Sequence, residues 1–370
     1  MSKQKYFLYV AITCIFIYAI TFYHYASYRS VLYGDPTVMA VAVESLYLDH
    51  DIDLKNQLII KQTIAADQIA LGSNGQWFPL HEPLLALVTV PFYGMLGNYS
   101  FILINWLIIV LLSYWLFLYL CSLFHPVVAS GAILLTFLSL PFTEYSYSYS
   151  IDVLGTALVC GNFILMVQKK YVIAGVVGGM ILFARLPFSI CNIPSVLFLI
   201  FCVYGNMKRS LRWASLSPLA NYFIGYLFFA ILFCIQNKLM FGSFFTFSYL
   251  HWISILPISH EKMDILSHFT PLSYRGLVKC IFSPDTGFIV SSPLAIISIL
   301  FATPALIRYR KDVAILFIMF VIIFLMFFSH FLTGVPAYPN RYLLPIYALA
   351  SIPLAALINL VISESVRRAC

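Results

Sequence analysis

Long apolar stretches, separated by short polar ones, run along the whole chain. Most have close to about 20 residues, the length an α-helix needs to cross a hydrocarbon core about 30 Å thick. This pattern predicts an all-α polytopic membrane protein with about ten transmembrane helices. The predicted spans are residues 6–24, 99–121, 127–143, 151–168, 171–185, 188–206, 217–238, 288–307, 313–331 and 342–362.

The composition agrees with a membrane solvent. Hydrophobic residues make up 62% of the chain and charged residues 9%, whereas soluble domains carry about 25% charged residues. We therefore expect residues 1–370 to form a single transmembrane domain. The first span follows Lys3 and Lys5 and lacks a small-residue cleavage site, so we interpret it as an uncleaved signal anchor. The eight cysteines stand singly, without metal-ligand spacing.

The distribution of charge predicts the orientation of the chain. Ten crossings place both termini on one side, and most basic clusters then fall on that side. These clusters are Lys3/Lys5, Lys169/Lys170, Lys208/Arg209/Arg212, Arg308/Arg310/Lys311 and Arg367/Arg368. Because cytoplasmic connections are enriched in lysine and arginine, we expect cytoplasmic termini. The net charge of +7 is thus a topology signal, and no nucleic-acid partner is predicted.

Two long polar segments, residues 25–98 and 239–287, then face away from the cytoplasm. In the first, Thr37–Tyr47 has helical spacing and follows Asp35-Pro36, a typical helix start. Residues 83–96 are apolar but too short, at about 14 residues, for an ordinary span. We expect both to be interfacial helices in the first outer loop.

Asp35 and the pair His81-Glu82 are candidate chemical groups in this first outer loop. A partly buried Asp35 carboxylate could act as a general base, or it could cap the helix that follows. His81 and Glu82 could titrate or bind a metal. They could also be a polar pair at the interface, pointing to water beside Trp77.

Arg185 is a charge within an apolar segment. Charged side chains at such depth are costly and face a cavity or a partner. Arg185 could hold a lipid phosphate, or it could pair with Glu144 or Asp152.

Arg341 begins the last span on the outer side, close to Tyr338. It could bind a phosphate oxygen or extend its charge towards the interface. The second outer segment adds aromatic and polar groups that include Tyr274, a mixture found in sugar-and-phosphate clefts and also in membrane-facing loops. No Walker A loop, Rossmann glycine fingerprint, HExxH or GxSxG motif occurs, so the sequence gives no sign of cytoplasmic nucleotide use.

Five stretches together resemble the bacterial membrane glycosyltransferases of the GT-C fold, the group of protein O-mannosyltransferases and lipid A aminoarabinose transferases. The first is one span followed by a loop that opens with Gly34-Asp35-Pro36 and leads to LDHDIDL. The others are HEPLLALVTVPFYGMLG, AGVVGGMILFARLPF, SPDTGFIVSSPLAIISIL and PNRYLLPIYALASIPL. Their order and spacing fit the family over most of the chain.

The resemblance implies an enzyme of the bacterial inner membrane with an extracytoplasmic active face. It would pass a sugar from a polyprenyl-phosphate donor to a lipid, glycan or protein acceptor, with membrane lipids as further partners. By that resemblance Asp35 would be the catalytic base or a metal ligand, and Arg185 and Arg341 would hold the donor phosphate. The remaining substrate-binding candidates are His81, Glu82, Tyr274 and Tyr338.

The chain departs from the family pattern in several places. Asp35 is followed by proline and threonine, where many relatives have paired acids, and Glu82 replaces a proline. No cofactor is therefore assigned, and a divalent metal remains open. A transporter or flippase of lipid-linked sugars is the alternative function, although no matching halves of the kind found in many transporters are evident. A non-catalytic subunit is a third.

Overall fold

The computed structural model describes residues 2–26, 35–61, 68–207, 216–253, 274–283, 287–328 and 341–369. The α-helices are α1 (Lys3–Ala26), α2 (Asp35–Leu48), α3 (Lys55–Lys61), α4 (Leu84–Leu96), α5 (Tyr99–Leu120), α6 (Pro126–Phe137), α7 (Leu140–Ser146), α8 (Ile151–Val167), α9 (Tyr171–Ala184), α10 (Asn192–Met207), α11 (Ser217–Phe241), α12 (Tyr274–Phe282), α13 (Phe288–Ser291), α14 (Pro293–Ile297), α15 (Thr303–Tyr309), α16 (Lys311–Phe328), α17 (Leu344–Leu349) and α18 (Ser351–Ala369). Shorter helical turns of 3-10 type cover Leu186–Cys191, Ser248–His251 and Arg341–Leu343, and a π-helical turn covers Ser298–Ala302.

The helices match the predicted spans. Among the described residues, six segments are each long and apolar enough to cross a membrane: Lys3–His24, Tyr99–Leu120, Leu186–Tyr204, Ser217–Phe241, Lys311–Phe328 and Arg341–Ser363. The shorter apolar helices α8, α9 and Pro293–Tyr309 coincide with three more predicted spans. The prediction of an all-α polytopic membrane protein is confirmed. The outward orientation of residues 25–98 and 239–287 stays a prediction.

The third predicted span, residues 127–143, is a bent pair of helices instead of one helix. Helices α6 and α7 meet at an angle of 64°. Ser139 between them is extended, and Pro141 stands in the first turn of α7. Proline has no backbone N–H to bond to the carbonyl oxygen four residues earlier, and its ring clashes with that carbonyl, so a continuous helix cannot pass through Pro141 undisturbed. The bend is therefore local to this proline.

A similar break positions Arg185. Helix α9 ends at Ala184, Arg185 is extended with φ −155° and ψ 94°, and Pro187 opens the 3-10 turn that leads into α10. Helix α9 has only 14 residues, about 21 Å at 1.5 Å per residue. The proline thus ends the helix early and leaves the guanidinium at its terminus.

Glycines allow α9 to pack closely against α11. A Cβ atom on Gly175 would lie 1.9 Å from the backbone oxygen of Tyr222, and one on Gly225 would lie 2.1 Å from the backbone oxygen of Val172. No larger residue fits at these two positions without moving a helix. Small residues at such contacts are typical of helix packing in membranes.

A buried polar network joins four of the helices. The Asn162 side chain donates to the backbone oxygen of Ala174 at 2.8 Å, and the Ser195 hydroxyl donates to Asn162 at 2.7 Å. The Tyr222 hydroxyl donates to Asn192 at 2.6 Å. Because these groups satisfy one another, they hold α8, α9, α10 and α11 together without a ligand.

Helix α2 packs against α3, α4 and β2. Helix α2 is a helix as predicted, and its residues Val38–Val43 are buried rather than arranged on one face. Helix α4 confirms the predicted short apolar helix. Together they bring the start of α2 and the residues before α4 to the same end of the molecule.

A small antiparallel sheet, which the sequence did not predict, connects the two long polar segments. Strands β1 (Ile69–Leu71) and β2 (Trp77–Pro79) form a hairpin, and β3 (Trp252–Ile253) pairs with the other edge of β1. Gly75 in the hairpin turn has φ +78°, which favours glycine. The sheet fixes residues just after β2 beside residues just before β3.

Candidate active site

Three of the predicted site residues surround the carboxylate of a fourth, Asp35. Asp35 is the first residue of α2, and its Oδ2 lies 2.9 Å from His81 Nε2, which follows β2. The same oxygen lies 2.6 Å from Arg341 Nη1 at the start of the last span, and 3.7 Å from Arg185 Nη2 at the end of α9. We call Asp35, His81, Arg185, Arg341 and Asp152 the charged cluster.

Arg185 is fully buried and makes a second ion pair. Its Nε lies 2.9 Å from Asp152 Oδ1 in the first turn of α8. Asp152 Oδ2 also lies 4.0 Å from Arg341 Nε. Of the two structural partners that the sequence offered, Asp152 therefore pairs with Arg185, whereas the Glu144 carboxylate accepts a hydrogen bond from the Tyr147 hydroxyl. Two carboxylates thus balance two guanidinium groups.

The neighbours of His81 fix its protonation. Arg185 Nη1 lies 2.7 Å from His81 Nδ1 and farther, at 3.3 Å, from Nε2, and the Tyr249 hydroxyl lies 2.9 Å from Nδ1. A guanidinium only donates hydrogen bonds, so Nδ1 accepts and the proton is on Nε2, which donates to Asp35. Burial, together with Arg185, lowers the pKa of His81 below 6.5 despite the opposing effect of Asp35. The imidazole is therefore neutral.

Asp35 is ionised in this arrangement. Burial alone would raise the pKa of its carboxyl, but Arg341, His81 and Arg185 outweigh burial and hold the pKa well below 3.8. Its side chain is only 11% exposed. A carboxylate so strongly paired is a weak base until one of its partners is taken away.

Glu82 lies next to His81 and is in a different electrostatic situation. Its Oε2 accepts a hydrogen bond from the backbone N–H of Leu186 at 3.1 Å, and its side chain is 4% exposed. Burial raises the pKa of the Glu82 carboxyl from 4.5 to about 7. The group therefore carries a proton over much of the range in which Asp35 is ionised.

Sequence reasoning assigned no site role to three residues that the structure brings to the cluster. These are Asp152, Tyr249 and Tyr342. The guanidinium groups of Arg185 and Arg341 each lie 5.4 Å from the centre of the Tyr342 ring, a cation–π geometry. In the sequence, Asp152 could be recognised as an acid at the start of an apolar helix. Tyr342 could be recognised by its position next to Arg341. Tyr249 gave no distinguishing signal.

Two predicted residues are not placed by the structure. Tyr338 lies outside the described residues. Tyr274 begins α12, and its side chain lies outside what is described. Within the described ranges, no three His, Cys, Asp or Glu side chains are grouped in a way that could hold a metal ion. Asp35 and His81 are a neighbouring pair of metal-type ligands, already bonded to each other.

The cluster has the groups needed to bind and polarise a phosphate ester. Two guanidinium groups lie within reach of one carboxylate oxygen, and a planar guanidinium suits phosphate oxygens. Arg341 is 35% exposed, so an incoming anion can reach it, whereas Arg185 is enclosed. A carboxylate beside them can accept a proton from a hydroxyl or amine.

No family model matches the sequence, and no curated protein matches it either. A solved structure similar to the chain is the crystal structure of ArnT from Cupriavidus metallidurans bound to undecaprenyl phosphate. The match has a TM-score of 0.60 and 13% sequence identity, and it covers 96% of this chain. The chain spans 61% of the length of that ArnT chain. The protein is an integral membrane protein with a GT-C-like fold, similar to that of ArnT.

Proposed function

We propose that this protein is a membrane glycosyltransferase that takes a sugar from a polyprenyl-phosphate donor. The observation that carries the proposal is the convergence of Asp35, Arg185 and Arg341, which come from three distant parts of the chain. The likeness to an ArnT structure that contains undecaprenyl phosphate supports a lipid-phosphate ligand. The acceptor is a lipid, glycan or protein outside the cytoplasm, and the membrane is the bacterial inner membrane.

The proposed reaction is an inverting displacement at the anomeric carbon. An acceptor hydroxyl or amine attacks that carbon while Asp35 removes its proton. The bond between the anomeric carbon and the phosphate oxygen breaks, and the electron pair goes to the departing lipid phosphate. Arg185 and Arg341 stabilise the charge that develops on this phosphate.

The donor phosphate also activates the base in this proposal. Without donor, Arg341 pairs with Asp35 at 2.6 Å. A phosphate that takes over this exposed guanidinium removes the strongest opposing charge from Asp35, so the basicity of the carboxylate rises. Donor binding therefore comes before proton removal.

The test uses the purified full chain in lipid nanodiscs, with a panel of undecaprenyl-phosphate monosaccharides and release of undecaprenyl phosphate as the readout. Asp35→Asn should lower the transfer rate by about 10²–10⁴ and should still bind undecaprenyl phosphate. Asp312→Asn, which changes a carboxylate in a solvent-exposed ion pair with Arg310, serves as the matched control. It should transfer at the wild-type rate.

Two outcomes would contradict the proposal. Full activity of Asp35→Asn removes Asp35 as the base. Movement of lipid-linked sugars across vesicles by the wild-type protein, without transfer to any acceptor, favours a flippase instead.

A further inference from the structure

A small pocket adjoins the charged cluster at His81. It is formed by the residues after β2, the last two turns of α11 and the 3-10 turn at Ser248. Its polar lining is His81, Glu82, Gln236, Asn237 and Ser248. Its apolar lining includes Phe233 and Met240.

Glu82 lines this pocket with a buried carboxyl group. Its Oε2 is bonded to the backbone N–H of Leu186, whereas its Oε1 has no hydrogen-bond partner in the part of the chain that the structure describes. The side chain is 4% exposed. Buried polar atoms are nearly always paired, and an unpaired one costs free energy, so such an atom needs a specific explanation. A ligand group that forms a hydrogen bond with Oε1 is such an explanation.

Helix α11 brings amide side chains to the same place. Most of α11 is apolar, yet it carries the neighbouring residues Gln236 and Asn237 near its end, and Asn237 is 2% exposed. Amide and carboxyl groups together can both donate to and accept from a hydroxyl or an amine. The free volume of the pocket, about 10 Å³, has room for one hydroxyl or amino group rather than for a whole ring.

The pocket borders the proposed reaction centre through one shared side chain. His81 lines the pocket, and its Nε2 lies 2.9 Å from Asp35 Oδ2. The two guanidinium groups suit a phosphate, whereas the Glu82 carboxyl can exchange hydrogen bonds with a neutral hydroxyl or amino group and repels a phosphate once it is ionised. The two halves of the site therefore suit two chemically different parts of a donor.

We propose that the pocket formed by Glu82, Gln236 and Asn237 is a subsite that recognises a hydroxyl or amino group of the transferred sugar. The proposal rests on the glycosyltransferase function above and assigns the sugar and the lipid phosphate to separate groups of residues. Glu82 is a specificity-determining residue in it, and Gln236 and Asn237 position the same sugar group.

The experiment compares two probes on the full chain in lipid nanodiscs. One probe is undecaprenyl phosphate, and the other is a panel of undecaprenyl-phosphate pentoses, aminopentoses and hexoses. The variants are Glu82→Met, Gln236→Leu and Asn237→Leu, each of which removes the hydrogen-bonding groups of one side chain. Each should weaken binding of the preferred glycosylated lipid by about tenfold, the effect of one lost hydrogen bond. Binding of undecaprenyl phosphate should stay within about twofold of wild type.

The control is Asn74→Leu, the same change at an exposed position in the turn between β1 and β2. It should leave binding of both probes unchanged. If Glu82→Met does not fold, the two α11 variants decide, because they leave the hydrogen bond between Glu82 and the backbone N–H of Leu186 intact.

The outcomes separate this inference from the function on which it rests. Wild-type protein that binds neither probe contradicts the glycosyltransferase itself. Wild-type protein that transfers sugar, with variants that lose both probes equally, shows that Glu82 only supports the fold. Variants that bind both probes like wild type show that the pocket holds solvent alone. Either of these last two results overturns the subsite and leaves the function standing.

Discussion

Replacing Glu82 by glutamine should change how the stability of the protein depends on pH. Burial raises the pKa of the Glu82 carboxyl from 4.5 to about 7 in the folded protein. Between these values the folded state keeps a proton that the unfolded state has released. The free energy of unfolding of the wild type therefore falls as the pH rises through this interval. The stabilisation that the protonated Glu82 carboxyl contributes is fully present only below pH 4.5.

The size of the effect follows from the size of the shift. At about 1.4 kcal/mol per pKa unit, a rise from 4.5 to about 7 corresponds to about 3 kcal/mol. Glutamine resembles the protonated carboxyl in shape and does not titrate. The free energy of unfolding of Glu82→Gln minus that of the wild type should therefore increase by about 3 kcal/mol between about pH 4.5 and pH 8.

Reversible chemical unfolding in mixed micelles, followed by tryptophan fluorescence across this pH range, measures both proteins. His81 and the other titrating groups are common to both, so the difference isolates the carboxyl at position 82. A difference that does not change with pH would show that Glu82 ionises normally in the folded protein. A difference that becomes smaller with rising pH would mean that folding lowers the pKa of Glu82 instead of raising it.

The buried and exposed ion pairs should differ in their contribution to stability. Asp152→Asn leaves Arg185 buried without this counter-charge and should lower the free energy of unfolding by about 3–5 kcal/mol, whereas Asp312→Asn in an exposed pair should cost less than about 1 kcal/mol. Equal losses in chemical unfolding would contradict this difference. Gly225→Ala places a methyl group 2.1 Å from a backbone oxygen of α9 and should destabilise by about 1–3 kcal/mol. Gly131→Ala, whose nearest new neighbour is 3.9 Å away, should not lower the unfolding temperature, and a similar loss in both glycine variants would exclude close packing as the cause.

The positions of the helices could be predicted because the membrane restricts the choices. A run of apolar residues long enough to cross the bilayer has to become a helix, since a helix satisfies its own backbone hydrogen bonds. Proline then predicts where such helices end, as Pro187 does for α9. The bend at Pro141 was missed because the apolar run around it contains no charged residue, and its serines and threonines are common inside membrane helices.

The site was predictable only in part. The cost of a buried charge singled out Arg185, and the same cost meant that it needed a partner. Choosing Asp152 over Glu144 required coordinates, because both acids lie near span ends in the sequence. The strands around the site have two or three residues each, too few for any period to be recognised, so the position of Tyr249 beside His81 could not be inferred.

The bond between Asp35 and Arg341 joins residues 306 positions apart. A ribosome makes the chain from the amino terminus, so Asp35, Asp152 and Arg185 are all synthesised well before Arg341. Until the last span is inserted, this group of charges has one cation too few, an arrangement that low-dielectric surroundings penalise. Biogenesis of the site thus ends with the final helix, and a chain released before that helix lacks the cation that completes it.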